Sequence, residues 1–469
     1  MRSLLHHASC AALCAAPVVL PAQVLISDSL LLTFTQQELI DTGVGNAING
    51  IEVYRLRYWS TDADGQPIVA SGAMMVPTGD TCYHSIACYM HGTILEKEAV
   101  PSRLSQEALV GYYLSGIGFV SALPDYLGLG DSPGLHPYVH AATEASASID
   151  LLRAVREWCT AQGVLLNGQL FLAGYSQGGH ACMATHRAIE QQFATEFTVT
   201  ASAPCSGPYD VSGVQAQVMV DTVPYPAPYY LPYVVLGYGS VYPGLFNTPS
   251  EVFKAPWDSL LPPLFDGTHG SGDVDAVMPS VPSAVLQDSV LQAFAADPQH
   301  PFRLALADND LYDWVPQAPV RMHYCNADDH VFPGNTQVAL QAFQLEGAQQ
   351  VSAVDMGALD HGACAFPALL AVRAWLMDLQ AECTWNDVPE LAERDWQVMP
   401  TATTGPLHLV HPLGGAVRWT VHDQRGTVVV SGAMDGPGSL DVSGLPTGLY
   451  VLTVADGRRR SAHRFLRTP

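Results

Sequence analysis

Three side chains in this sequence could share one piece of chemistry. They are Ser176 within Gly174-Tyr175-Ser176-Gln177-Gly178, an aspartate at 328 or 329, and His361. A serine hydroxyl is a poor nucleophile at neutral pH and needs an imidazole to take its proton. The imidazole in turn needs a carboxylate to fix its tautomer and stabilise the imidazolium. Where the serine sits on a strand-to-helix elbow, the acid and then the histidine follow it along the chain, and that order is present here. Asp328 opens Asp328-Asp329-His330-Val331, a D-x-x-V spacing, and Asp329 fits by position as well. Of the 17 histidines, His180 sits on the helix directly after the serine and reads as a packing or capping residue. His323 lies inside a strand and His330 beside the acid, whereas His361 stands downstream on its own loop, next to Gly362. Attack on a carbonyl also requires donors for the oxyanion. The N–H of Gln177 is one candidate. The second is expected from His91-Gly92-Thr93 or from Pro124-Asp125-Tyr126, with Thr93 and Asp125 both open.

These residues need elements to hold them. Leu170 to Ala173 is a short apolar run that meets the elbow, and a helical pattern continues through Ala188: strand, tight turn, helix. Ile51 to Trp59 and Ile68 to Val76 read as two strands joined by the Asp62-Ala-Asp-Gly65 turn. Ser85 to Met90 and Phe119 to Leu123 are further strands, each ending at a candidate oxyanion loop. Ala141 to Trp158 repeats at helical spacing, with Ile149, Leu152 and Val155 recurring while Asp150, Arg153 and Glu157 face elsewhere. Val320 to Cys325 ends at the acid, a strand near Gln350 to Val354 precedes His361, and a helix over Pro367 to Leu379 follows. Alternating strands and helices predict an α/β fold with a parallel sheet. Between Cys205 and Gln299 the texture turns rich in Pro, Tyr and Gly without clean periodicity, which predicts an inserted cap. Its aromatic residues could wall an apolar ligand or pack a small core of their own.

Composition bounds the partners. The 469 residues carry 20 Lys+Arg against 44 Asp+Glu, a net charge of −24, which disfavours nucleic acid and anionic membrane surfaces. Hydrophobic residues make up 48% and charged ones 14%, enough apolar chain for a sizeable core. Residues 1–23 have the form of a cleaved signal peptide: Arg2, a short apolar stretch, then Pro21-Ala22-Gln23. Its loss would leave eight cysteines, an even set that suggests disulfides in an exported chain, with Cys82 and Cys88 as the local pair. No spacing argues for a metal site, and no cofactor is expected.

Taken together, the elbow, the H-G-T loop, the P-D-Y-L-G-L-G strand end, the D-x-x-V loop and Asp360-His361-Gly362 resemble the secretory lipases. These are α/β-hydrolases that include the fungal lipase A type and its bacterial esterase relatives. The resemblance covers roughly residues 50 to 380. It implies a capped α/β-hydrolase that cleaves carboxylic esters with Ser176, Asp328 and His361, and it favours Asp125 over Thr93 as oxyanion donor. Val417 to Gly426, Leu440 to Leu452 and Arg464-Phe-Leu-Arg467 resemble the type A sorting domain of type IX secretion substrates. The implied organisation is a signal peptide (1–23), an α/β-hydrolase domain (24–385, cap about 205–299), a linker (386–396) and a small all-β sandwich (397–469). The expected partners are a small-molecule or polymeric ester and the type IX machinery, without stable membrane insertion, and the expected destination is outside the cell or on its surface. Two other readings are a serine peptidase of the same fold and an exported binding protein that has lost catalysis.

Overall fold

A strand buried on both faces reads as a near-continuous apolar run, and three stretches here come close to that pattern. His84–Met90 and Val120–Pro124 are buried at every position, as is the last part of Leu166–Tyr175. In the computed structural model they form the centre of a nine-stranded sheet. The model describes residues 23–79, 82–381, 397–410, 416–435, 438–455 and 460–469. All but the last residue of the expected signal peptide, and the whole of the expected linker, lie outside these residues. In chain order the strands are β1 (Leu25–Phe34), β2 (Gly50–Thr61), β3 (Pro67–Thr78), β4 (His84–Met90), β5 (Val120–Pro124), β6 (Leu166–Tyr175), β7 (Val199–Cys205), β8 (Val320–Tyr324) and β9 (Val351–Asp355). Their order across the sheet is β1-β2-β3-β5-β4-β6-β7-β8-β9. The pairs from β5 through β9 are parallel, and β1, β2 and β3 are joined antiparallel, with β3 antiparallel to β5.

Period-two alternation along β6 divides the core. Leu170 and Leu172 enter one apolar cluster, and Phe171, Ala173 and Tyr175 enter the other. Helix α1 (Gln36–Asp41) leads into the sheet, and α2 (Ala108–Ser115) covers the Tyr175 face. Helices α3 (Ala141–Gln162) and α4 (Gln177–Gln192) cover the opposite face. Each fully buried large side chain in these layers contributes about 1.5–3 kcal/mol. Two details differ from the expectation. Asp150 does not face away: it is buried, accepting from Ser60 Oγ at 2.9 Å and from Arg153 Nη1 at 2.6 Å. Strand β1 was not expected, because it is exposed along most of its length and shows no alternation.

The insertion between β7 and β8 contains α5 (Gln217–Val220), α6 (Tyr230–Val241), α7 (Trp257–Leu260), α8 (Ser271–Asp275), α9 (Asp288–Ala296) and α10 (Pro301–Ala307). Its apolar cluster includes Tyr233, Tyr238, Phe253 and Phe265 and reaches Leu306, beyond residue 299. Helices α11 (Gly334–Leu345) and α12 (His361–Leu379) complete this unit. Helix α12 begins at His361, not at Pro367. Pro367 lies inside it as the seventh residue, past the first turn, and removes the one intrahelical bond its N–H would have given to the Ala363 carbonyl.

Residues from 397 onward form a separate all-β unit. Strands β10 (Gln397–Met399), β12 (Leu407–Val410) and β15 (Gly438–Leu440) make a three-stranded sheet. Strands β11 (Ala402–Thr403), β13 (Ala416–His422), β14 (Val428–Asp435), β16 (Gly448–Ala455) and β17 (Arg460–Arg467) make a five-stranded one. Leu407, Leu409, Val421, Leu440, Leu452 and Phe465 share its core. In the last strand, Phe465 is buried while Arg467 donates to the carbonyls of Val442 and Ser443.

One contact sets how closely α4 can approach the sheet. A Cβ on Gly174 would lie 2.0 Å from the Gly178 oxygen, and a Cβ on Gly178 would lie 1.9 Å from the Met90 oxygen. Both obstacles are backbone. Gly178→Ala is therefore expected to lower the urea unfolding free energy by about 3 kcal/mol or more, the upper end for overpacking. A wild-type midpoint and slope would contradict this account of the elbow.

Candidate active site

Ser176 occupies the turn between β6 and α4 with φ 61° and ψ −124°, a strained conformation for a residue with a side chain. Its N–H donates to the Cys205 carbonyl at 2.9 Å, while its own carbonyl accepts from Gly179 and His180. The hydroxyl is thereby held clear of the sheet. Oγ lies 2.8 Å from His361 Nε2, and His361 Nδ1 lies 2.9 and 2.8 Å from the two carboxylate oxygens of Asp328. With a carboxylate as its only neighbour, Nδ1 carries the proton, which leaves the Nε2 lone pair facing the serine. Asp328 is buried and its Oδ1 also accepts from the N–H groups of His330 and Val331, at 3.1 and 2.9 Å.

The structure separates the two aspartates. Asp328 faces the imidazole ring, and Asp329 Oδ1 accepts the backbone N–H of His361 at 3.2 Å. Other contacts fix the histidine further. Tyr175 Oη donates to the His361 carbonyl at 2.6 Å, Asp360 caps α12 by accepting from Ala363 N–H at 2.8 Å, and His330 stacks on the ring at 4.9 Å. A disulfide between Cys325 and Cys364 ties the end of β8, just before the acid loop, to the first turn of α12. The expected pairing of Cys82 with Cys88 is corrected: Cys82 is disulfide-bonded, but Cys88 is a free thiol buried within β4.

The oxyanion loops are also distinguished. The N–H of Asp125 donates to the Ser71 carbonyl at 3.0 Å as part of the β3–β5 register, so it is not free to meet an oxyanion. Its carboxylate accepts from Ser71 Oγ at 2.6 Å and Ser102 N–H at 3.0 Å, and burial raises its pKa. Asp125 is therefore a buried brace, which corrects its assignment to the site. The His91-Gly92-Thr93 loop runs against the serine instead, since a Cβ on Gly92 would lie 3.8 Å from Ser176 Cβ. Among the described residues, no backbone carbonyl accepts the N–H of either Gln177 or Thr93.

Behind Gln177 lies a polar layer that the sequence did not reveal. The Gln177 amide donates to Glu144 Oε1 at 3.0 Å and to His136 Nε2 at 2.7 Å. His136 can accept because burial lowers its pKa to about 4, and its Nδ1–H donates to the Leu127 carbonyl at 2.7 Å. His180, expected to pack or cap, bridges Glu144 Oε2 at 2.6 Å and the Asn309 carbonyl at 2.9 Å. Glu144 carried no local signal, because its role depends on α3 crossing α4. Beside the site an apolar cavity of about 350 Å³ opens between α2 and α12, bounded by Gly92, Leu109, Tyr175, Phe366 and Leu370. Among the described residues, no cluster of His, Cys, Asp and Glu has the composition of a metal site.

No family model matches the chain, and no curated protein matches it. Solved structures do. The rice cell wall degrading esterase LipA from Xanthomonas oryzae is 30% identical, with 77% of this chain and 100% of that chain covered and a TM-score of 0.70. A hydrolase from Legionella pneumophila is 25% identical over 76% of this chain and 98% of its own, also with a TM-score of 0.70. Lipase A of Candida antarctica is 15% identical, with 73% and 78% covered and a TM-score of 0.55, and shares the fold.

The Cys325–Cys364 bridge closes a loop with a sequence separation of 39, for which the chain-entropy model gives roughly 4 kcal/mol. The Cys325→Ser/Cys364→Ser double variant should lose up to that amount in urea unfolding monitored by near-UV circular dichroism. Stability equal to wild type would show that the acid loop and α12 hold together without the bridge.

Proposed function

The chain belongs to the family of LipA-type esterases, and on that premise we propose that it is a secreted serine carboxylic ester hydrolase working through an acyl-enzyme. The observation that carries the reading is the continuous Ser176–His361–Asp328 hydrogen-bond line, 2.8 Å at the serine and 2.8–2.9 Å at the acid. Ser176 Oγ forms a bond to the ester carbon while its proton passes to His361 Nε2 and the carbonyl electron pair moves onto oxygen. Asp328 stabilises the imidazolium, and the N–H groups of Gln177 and Thr93 face the oxyanion. Collapse expels the alcohol, which takes the proton from His361. Water activated by the same imidazole then releases the acid. No cofactor enters this cycle.

The cavity between α2 and α12 supports an acyl chain of medium length as its occupant, because it is apolar and reaches Gly92 and Tyr175 beside the serine. Export is part of the same proposal. Disulfide-bonded cysteines suit an oxidising compartment, and the all-β unit from 397 onward is the segment that resembles a type IX sorting domain.

Ser176→Ala should abolish hydrolysis of p-nitrophenyl butyrate with little change in thermal unfolding; full activity in that variant would exclude the mechanism. Asp328→Asn should lower kcat by roughly 10³–10⁴-fold, and Asp329→Asn far less, because Asp329 meets only the His361 backbone. Equal losses would reject that division of roles. Leu109→Trp, at the cavity mouth, should lower kcat/KM for octanoate more than for acetate. A uniform loss would place the acyl chain elsewhere.

A further inference from the structure

The insertion sends one side chain into the active site. Tyr230 is the first residue of α6, and its phenol is set among the groups that surround Ser176. Its hydroxyl lies 3.5 Å from Nδ1 of His330, the imidazole stacked on His361. The phenol ring is fixed by aromatic neighbours: Tyr229 at 4.4 Å, His330 at 5.9 Å and Tyr138 at 6.0 Å. Tyr138 in turn shares a 2.9 Å hydrogen bond with Thr93 Oγ1. A phenol set between His330, which stacks on His361, and Tyr138, which is bonded to Thr93, is placed to meet the carbonyl oxygen of a bound ester as it becomes an oxyanion.

Burial holds the Tyr230 phenol above its ordinary range, so it keeps its proton through neutral pH. Before attack, the serine hydroxyl gives its hydrogen to His361 Nε2, 2.8 Å away. During attack that oxygen lone pair becomes the new bond to carbon, while negative charge grows on the neighbouring carbonyl oxygen. The phenolic hydrogen then has a better acceptor close by. An interaction that strengthens in this way acts on the transition state more than on the bound ester.

We propose that Tyr230 is a catalytic residue delivered by the insertion, its hydroxyl donating to the oxyanion as a third donor beside the N–H groups of Gln177 and Thr93. This rests on the ester-hydrolase reading above. It makes the insertion part of the chemical machinery as well as a covering over it. His330 and Tyr138 serve as positioning residues, holding the phenol at the angle from which it can turn to the oxyanion.

The test is Tyr230→Phe, which keeps the ring and its stacking and removes only the hydroxyl. On p-nitrophenyl butyrate kcat should fall about 100-fold, the lower end for loss of one oxyanion donor, with KM within about twofold. Affinity for an alkyl boronic acid, which forms a tetrahedral adduct with the serine, should fall by a similar factor. Tyr233→Phe is the control. Its hydroxyl donates to the Ile94 carbonyl at 2.8 Å, away from Ser176, and kcat should stay near wild type. A Tyr230→Phe enzyme with kcat within twofold of wild type, or with its whole loss in KM and boronate affinity unchanged, overturns the proposal. If Ser176→Ala still turns over, the hydrolase reading itself fails and the proposal falls with it. If Ser176→Ala is inactive and Tyr230→Phe is unimpaired, only the role of Tyr230 is lost.

Discussion

The active site depends on a steric constraint: two backbones approach each other more closely than a side chain would allow. Helix α4 rests against the ends of β4 and β6 through Gly174 and Gly178, where the carbonyls of Gly178 and Met90 occupy the places a Cβ would take. That closeness lets the chain reverse direction at Ser176 with a backbone angle costing on the order of 1–3 kcal/mol. The core of two apolar layers absorbs the cost. In return the hydroxyl stands at the start of a helix, beside an N–H with no carbonyl of its own to satisfy, where developing negative charge is favoured.

The elements that carry the other two members are fixed by different means. The acid loop is held by its own backbone donors to Asp328, and the histidine by Asp329, Tyr175 and the cap at Asp360. A second network supports the oxyanion side. Glu144, His136, His180 and Asn309 connect α3, the loop after β5, α4 and the chain after α10: the Gln177 amide joins His136 to Glu144, and Glu144 leads on through His180 to Asn309. The Gln177 side chain is buried in this layer. Its Oε1 is buried with no partner among the described residues, so Gln177 is oriented entirely through its amide nitrogen. Such a layer constrains the backbone of Gln177 more tightly than apolar packing would, because each donor accepts only a narrow range of angles.

Much of this was legible in the chain. The central strands and the elbow announce themselves through contiguous apolar runs that end in glycine, and His361 through its position after the last strand. What remained hidden depends on long-range register. Whether Asp125 can donate is decided by Ser71, 54 positions away, which claims its N–H once β3 and β5 pair. Of the tyrosines at 225, 229, 230 and 233, only the orientation of α6 selects the one whose hydroxyl turns to Nδ1 of His330, and a stretch without periodicity carries no sign of it. Asp328 and Asp329 are chemically identical neighbours, separated by whether the side chain meets a ring or a backbone N–H. Strand β1 escaped notice because an exposed edge strand needs no apolar alternation. The cysteine pairing was hidden for the same reason: Cys88 is nearest to Cys82 in sequence, yet it packs as a small apolar side chain.

The Cys325–Cys364 bridge has a topological consequence. It makes the segment from the acid loop through α11 and β9 to the histidine a covalent ring within the chain. One exposed point of that ring is the turn around Gly347, where the backbone takes a positive φ of 86°. A protease that cuts there leaves two polypeptides by sequence but one molecule by connectivity, with Asp328 on one piece and His361 on the other. Outside a reducing environment, such a nick would not let the two partners drift apart.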